Sequence, residues 1–392
     1  MRRLDEVLAP ALEERRAANR YRRRRVVTPL GGARVRVEGR EYLDFSSNDY
    51  LGLATDPRLA EAAARALEQY GTGGRAAHLI TGHGPLHEDL EQRLAEFVGR
   101  ERALLFSTGY MANIGLCQAL VGRGDTVLED RLNHASLLDG GLLSGARLAR
   151  FAHADPQALE ARLQGSRGRR LVLTDSVFSM DGDRAPLAEL TRVCERNGAW
   201  LVADEAHAIG VRGPGGAGEV AAAGLDQEAV PVLMGTLGKA LGCFGAFVAG
   251  SATLVETLIQ QARSYVYTTA APPALAGATL AALDLVAEEA WRREKLAELV
   301  AVFREGCESV GVELLPSDTA IQPIMVGDSR RALALSEALA RSGYLVQAIR
   351  PPTVPCDTAR LRVTLSAAHT VEEVRALADT IGRELRLAGR QQ

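Results

Sequence analysis

The sequence predicts an α/β protein: a large domain built on a mostly parallel sheet, with a smaller C-terminal α/β domain. Three observations lead there. From about residue 56 to residue 275, apolar runs of strand length alternate with helix-period segments, the rhythm of parallel strands joined by crossover helices. After about residue 276 the texture changes to a long helical stretch, then short strands and two more helical segments. Finally, 392 residues at 47% hydrophobic and 24% charged carry enough apolar side chain for more than one core. The expected division is 1–55 as an N-terminal helix and hairpin segment, 56–275 as the large domain and 276–392 as the small one.

Taken in order, Leu4, Val7, Leu8, Ala11 and Leu12 share one helical face, in a helix that ends in the basic run "RYRRRR", residues 20–25. "ARVRVEGREYLDFSSND" alternates like a short hairpin with Gly39 in its turn. Strands are expected at "RALLFS", "DTVLED", "RRLVLTD", "AWLVADE", "VPVLMG" and "GAFVAG", with helical patterns between most of them. In the last third, "IQPIMVG", "YLVQAI" and "RLRVTLS" read as strands and "SRRALALSEALARSG" as a helix stopped by Gly343. The final helix opens at Thr370 with Glu373 three residues on, the spacing of a capping box. No internal repeat or low-complexity linker interrupts the pattern.

Composition excludes several function classes. A net charge of −3 argues against a dedicated nucleic-acid binder. The basic run 20–25 fits a solvated helix end or a bound anion, and both stay open. Five scattered cysteines (Cys117, Cys194, Cys243, Cys307, Cys356) offer no CxxC pair and no zinc-ligand spacing. They fit reduced thiols in the cytoplasm, and no metal is expected. The N-terminus lacks the apolar core of a signal peptide, Asp5, Glu6, Glu13 and Glu14 count against a transit peptide, and no apolar run reaches membrane-spanning length.

The sharpest signal is a scarcity. Of 46 basic side chains only Lys239 and Lys295 are lysine. Arginine supplies charge anywhere, but it cannot supply a primary amine that deprotonates near neutrality and attacks a carbonyl. Lys295 lies where Leu296, Leu299, Phe303 and Cys307 recur at helical spacing, so it reads as a solvated helix position. Lys239 sits in the glycine-rich "MGTLGKALG", residues 234–242, directly after an apolar strand.

Chemistry in a parallel α/β sheet gathers at the carboxyl ends of its strands. "ALLFSTGYMAN" passes from a strand through Gly109 into a helix beginning near Tyr110, a junction whose free N–H groups suit a phosphate. "DTVLEDRLNHASLLDG" leaves His134 just beyond a strand, and "RRLVLTDSVFSMDGD" ends with Asp175, Ser179, Asp181 and Asp183. "AWLVADEAHAIG" delivers Asp204, Glu205 and His207 within four residues, and buried carboxylates there require partners. A metal would satisfy them, but no third or fourth ligand has suitable spacing; a cationic heterocycle nitrogen would satisfy Asp204 equally. "GPGGAG", residues 213–218, matches the dinucleotide fingerprint in letters only. It closes no strand and lacks the acidic residue about 20 positions on, so it reads as a flexible glycine loop.

A phosphate-type turn, a histidine, a strand-end Asp with a nearby His and an isolated lysine are the parts pyridoxal 5'-phosphate requires. "DEAHAIG" followed some thirty residues later by "TLGKALG", together with "FSSNDYLGL", "NHASLLDG" and "VFSMDGD", resembles the α-oxoamine synthases among the fold-type I pyridoxal-phosphate transferases. The resemblance covers nearly the whole chain. It implies that Lys239 is the Schiff-base residue and the base for the substrate α-proton. Asp204 would pair with the pyridine nitrogen, and His207 and Ser179 with the ring oxygen. His134 would stack on the ring. Gly109, Tyr110 and Thr236 would hold the phosphate, with Thr268 or Thr269 reaching that of the neighbouring subunit in a homodimer with shared sites. Asn48 and Arg362 would grip the amino-acid carboxylate, and Arg22, Arg350 and Thr353 fall where the family handles the acyl chain.

Within the group, "YTTAAPPA", "AIRPPTVP" and "TARLRVTLSAAH" are similar to the members that condense L-alanine with a pimeloyl thioester, carried by acyl carrier protein or coenzyme A, in biotin synthesis. A relative that joins glycine to an acetyl group is the alternative, an aminotransferase a different reaction class, and a non-catalytic subunit would be expected to lack Lys239. Three departures stand out. Asp175 and Ser176 replace the usual Glu-Gly, "GTGGRAAHLITGHGPLHEDLE" is poorer in glycine and serine than the family's version, and "GCFGAF" lacks a common serine–glycine pair.

Overall fold

The computed structural model describes residues 3–389. Along the chain come helix α1 (Leu4–Ala17), strands β1 (Val27–Gly31), β2 (Arg34–Val37) and β3 (Arg40–Asp44), and helices α2 (Pro57–Tyr70) and α3 (Pro85–Phe97). Then follow β4 (Arg102–Phe106), α4 (Gly109–Leu120), β5 (Thr126–Asp130), α5 (Ala135–Leu143), β6 (Arg147–Phe151), β7 (Arg170–Asp175), β8 (Trp200–Asp204), β9 (Val232–Thr236) and β10 (Ala246–Gly250). The last strands are β11 (Ile321–Gly327), β12 (Tyr344–Leu345), β13 (Gln347–Ile349) and β14 (Ala359–Thr364), and the last helix is Val371–Gly389.

Two compact units emerge, and they do not follow chain order. The larger comprises Asp49–Ser179 and Asp183–Glu294; the smaller gathers the chain up to Asn48, Met180–Gly182 and the chain from Lys295 onward. The larger holds a seven-stranded sheet in the order β4-β10-β9-β8-β7-β5-β6, parallel from β9 to β6, with β10 antiparallel to both its neighbours. Its central strands read as unbroken apolar runs because both faces are covered: Leu171, Val172, Leu173, Leu201, Val202 and Ala203 expose nothing. β6 escapes the sequence pattern because "ARLARF" places Arg147 and Arg150 in an edge strand that is largely open to solvent.

The antiparallel β9 and β10 force a tight reversal, and that reversal carries Lys239. It is closed by Leu237 N–H to Gly245 O (2.9 Å), Cys243 N–H to Leu237 O (2.9 Å) and Gly242 N–H to Lys239 O (2.9 Å). Gly242 has φ +65°, and a Cβ there would lie 2.5 Å from the Ala54 nitrogen, so only glycine serves.

In the smaller unit a third strand, β1, extends the expected hairpin, and the four-stranded sheet β1-β2-β3-β12 is completed from the far end of the chain. "YLVQAI" is therefore not one strand. β12 pairs parallel with β3, whereas β13 pairs antiparallel with β14 in a separate three-stranded sheet, β11-β14-β13. The capping box of the last helix forms, with Thr370 N–H on Glu373 Oε2 (3.0 Å) and Glu373 N–H on Thr370 Oγ1 (3.2 Å). α1 stops at Ala17, short of the arginine run, and buries none of its residues. No described helix is long and apolar enough to cross a membrane.

Candidate active site

The strand ends of the larger unit bring most of the singled-out residues together. β8 is apolar up to Asp204, which is buried at its carboxyl end. Ala206 N–H reaches Asp204 Oδ1 (3.0 Å) and the Asn113 amide nitrogen reaches Oδ2 (2.8 Å). Lys239, half-buried, holds its Nζ 2.9 Å from His207 Nε2, and His207 Nδ1 lies 2.5 Å from the Tyr50 hydroxyl. The amine thus belongs to a Tyr50–His207–Lys239 chain.

His134 is the N-cap of α5, in an unusual way: its Nδ1 faces Ser136 Oγ (2.7 Å) and the Ser136 N–H (3.3 Å). Its backbone N–H donates to Asp175 Oδ2 (2.7 Å). The residue stays exposed, yet its pKa is lowered, by desolvation first and by the Lys239 charge as well, against the pull of Asp204. Asp175 lies opposite Asp204 in the β7–β8 register. Burial, then the Asp204 charge, drives the Asp175 carboxyl well above the usual range. A proton is thereby favoured on the Asp175 carboxyl.

Gly109 and Tyr110 open α4 behind Thr108, whose Oγ1 caps the Met111 N–H (3.1 Å). The first N–H groups of a helix have no acceptor inside it. Thr236 ends β9 and donates from Oγ1 to Gly245 O (3.1 Å). Ser179, part-buried, lies in a turn closed by Phe178 N–H to Asp183 O (2.9 Å). Thr269 bridges Ala77 in an isolated antiparallel pair, with Thr268 beside it.

The remaining predicted residues belong to the smaller unit and form two groups there. Arg362, buried on β14, donates to Thr364 Oγ1 (2.7 Å) and Asn48 Oδ1 (3.1 Å). Arg22 donates to Thr353 Oγ1 (3.0 Å), and Arg350 donates to the Asn19 carbonyl. Burial first, then the charge of Arg22, lowers the Arg350 pKa. The basic run therefore contributes one arginine to a tertiary contact. That is more than a solvated helix end would do.

Two of the singled-out features are structural. Glu205 belongs to the scaffold: its carboxylate accepts Glu219 N–H (2.6 Å) and Val220 N–H (3.2 Å), and burial pushes its pKa up to about 8. The loop "GPGGAG" wraps that carboxylate, and a Cβ on Gly218 would stand 1.8 Å from Glu205 Oε2. Gly213, Gly216 and Gly218 answer to close approach, and Gly215 to a left-handed φ of +62°. Among the described residues one set of metal-type donors, on His83, Glu88 and Glu91, converges within 4.8 Å. His83 Nε2 meets Glu88 (3.0 Å) and Glu91 takes the Leu105 N–H (2.8 Å), so protein already engages them.

Comparison with known proteins decides the relationship. The family model described as aminotransferase class I and II matches residues 40–381. An 8-amino-7-oxononanoate synthase of Cellvibrio japonicus (strain Ueda107) is 57% identical over 380 residues, covering 97% of this chain and 96% of the relative. The chain belongs to the 8-amino-7-oxononanoate synthase family. Solved structures agree in fold. A serine palmitoyltransferase from S. paucimobilis with a bound PLP–myriocin aldimine superposes with a TM-score of 0.93, at 29% identity, over 99% of this chain and 100% of that one. An 8-amino-7-oxononanoate synthase from Francisella tularensis gives 0.79, at 29% identity, over 88% and 98%. The fold is that of the fold-type I transferases.

Against this family background, sequence reasoning overlooked Tyr50, Asn113 and Ser136. Tyr50 lies inside the motif "FSSNDYLGL". Asn113 left one usable trace: it is a polar residue in the buried stripe of α4 that also holds Ala112, Leu116 and Cys117.

Proposed function

We propose that this chain condenses L-alanine with a pimeloyl thioester, with loss of carbon dioxide, to give 8-amino-7-oxononanoate, using pyridoxal 5'-phosphate held through Lys239. One observation carries the reading: Lys239 Nζ is set on His207 in a chain 57% identical to an 8-amino-7-oxononanoate synthase. The donor set fits the cofactor. It offers a primary amine at Lys239, a buried carboxylate at Asp204 and the acceptor-free N–H groups of Gly109 and Tyr110. When bound, the cofactor accommodates the electron pair left on the amino acid's α-carbon.

The chain's own residues supply the rest. Lys239 Nζ takes the α-proton and later returns one, with His207 Nε2 steadying that nitrogen. Asp204 would keep a proton on the heterocycle nitrogen, and beside it burial raises the Asp175 carboxyl well above the usual range. Gly109, Tyr110, Thr236 and Thr268 or Thr269 hold the phosphate, Ser179 and His207 the ring oxygen, and His134 the ring face. Arg362 with Asn48 binds the alanine carboxylate. Arg22, Arg350 and Thr353 meet the acyl chain, whose distal carboxylate suits a guanidinium. A cytoplasmic homodimer with shared sites accords with five free cysteines and with exposed apolar side chains at Ile80 (74%) and Tyr267 (74%), the latter adjoining Thr268.

The test measures thiol release from alanine, glycine and serine, each offered pimeloyl, acetyl and succinyl thioesters on coenzyme A and on acyl carrier protein. Turnover confined to alanine with a pimeloyl thioester is expected. Preference for glycine with a short acyl group would overturn the substrate assignment.

A further inference from the structure

Asn113 is wholly buried on α4 and touches two groups that lie far apart in the chain. Its amide nitrogen is 2.8 Å from Asp204 Oδ2 and 2.8 Å from Ser136 Oγ. A carboxylate offers only acceptors, so the NH2 end of the amide must face Asp204. Its second hydrogen then goes to Ser136 Oγ. With that oxygen already accepting, the Ser136 hydroxyl hydrogen is free to point at His134 Nδ1, 2.7 Å away. The Ser136 backbone N–H aims at the same nitrogen from 3.3 Å. Two donors directed at one ring nitrogen leave no room for a proton on it.

We propose that Asn113 is a positioning residue, which orients Asp204 and, through Ser136, holds His134 as the neutral tautomer protonated on Nε2. The direction of the chain is dictated from one end: Asp204 orients the amide, the amide orients the hydroxyl, and the hydroxyl selects the tautomer. The titratable groups around His134 are Asp204, Lys239, Asp139 and Asp175. The consequence rests on the proposed function. Beside a heterocycle that Asp204 keeps protonated, a neutral imidazole can lie against the ring where an imidazolium would repel it. The tautomer itself is a property of the protein alone.

It can be read in the cofactor-free chain, with histidine labelled in nitrogen-15 and long-range proton–nitrogen correlation spectra recorded across pH. His134 is assigned by its disappearance in His134→Gln. At pH 7 the parent should show a bare Nδ1 and a protonated Nε2. Ser136→Ala and Asn113→Ala should each introduce exchange between tautomers, and each should raise the His134 titration midpoint by about 0.4–1 pH unit, as expected for losing one hydrogen bond to the neutral form. Ser136→Ala removes a single atom, so it decides the matter even if Asn113→Ala fails to fold. A parent His134 protonated on Nδ1, or an unchanged tautomer and midpoint in folded Ser136→Ala, would overturn the proposal. Uptake of pyridoxal phosphate is followed separately by visible absorbance. A parent chain that fails to take it up defeats the functional reading and leaves the tautomer result standing.

Discussion

The two lysines of this arginine-rich chain occupy opposite kinds of site. Lys239, at the β9–β10 reversal, points its amine at His207 Nε2, on an imidazole whose other nitrogen, Nδ1, is held by the Tyr50 hydroxyl. Lys295, near the start of the helix Trp291–Ser309, donates to a main-chain carbonyl, Ala367 O, at 2.8 Å. A carbonyl accepts a hydrogen bond from any cation that reaches it, and a guanidinium would serve. The site around Lys239 uses a titratable nitrogen that can give up its proton, which a guanidinium never does near neutrality. Residue type alone did not separate the two; the partner did.

The largest expected effect breaks that contrast at its chemical end. Lys239→Arg keeps the charge and approximate length but removes the nucleophilic amine. Thiol release should fall by about 10⁴-fold or more, and the visible absorbance of the bound cofactor should shift. A variant that turned over within tenfold of the parent would remove Lys239 from its role.

A third cationic centre sharpens the comparison. His153 is clamped between Asp130 Oδ1 at Nδ1 (2.9 Å) and Asp183 Oδ2 at Nε2 (2.7 Å). Burial opposes its charge, but the two carboxylates outweigh burial and lift its pKa to about 10. Here the proton is fixed in place and ties the end of β5 to the loop after β7. The folded-state pKa exceeds the unfolded one, about 6.5. The stabilisation is therefore complete below that value and is lost as pH rises through about 10. His153→Gln should cost about 1.5–3 kcal/mol at pH 6, with the gap to the parent narrowing towards pH 10. Urea denaturation at pH 6, 8 and 10 measures it; a gap that widens with pH contradicts the clamp.

What could be read in advance follows from the same distinction between local and assembled features. The central strands were legible because burial on both faces turns each into an apolar run, as at Leu171–Leu173. β6 was not, because arginines on an open edge strand break that run. Lys239, Asp204 and His207 stood out through scarcity or clustering within a few residues. The link from Asp204 through Asn113 and Ser136 to His134 could not, since it joins residues 23 and 91 positions apart. The same limit applies to "YLVQAI". Its division between two sheets depends on a partner strand some 300 residues earlier, and no local periodicity encodes that.

The smallest expected effect closes the comparison from the other side. Lys295 is half-buried, and the apolar face of its helix, at Leu296, Leu299, Phe303 and Cys307, is already buried without it. Its amine provides one hydrogen bond to Ala367 O. Arginine is one bond longer and has five donors, so a modest change of rotamer restores that contact. Lys295→Arg should leave thiol release unchanged and alter stability by no more than about 0.5 kcal/mol. Thermal melting with bound cofactor, run beside the assay, checks both. A chain lacking every lysine but Lys239 would then still work. Loss of turnover in Lys295→Arg would instead show that the carbonyl at Ala367 demands a compact ammonium, and that the chain's second lysine is retained for geometry and not by chance.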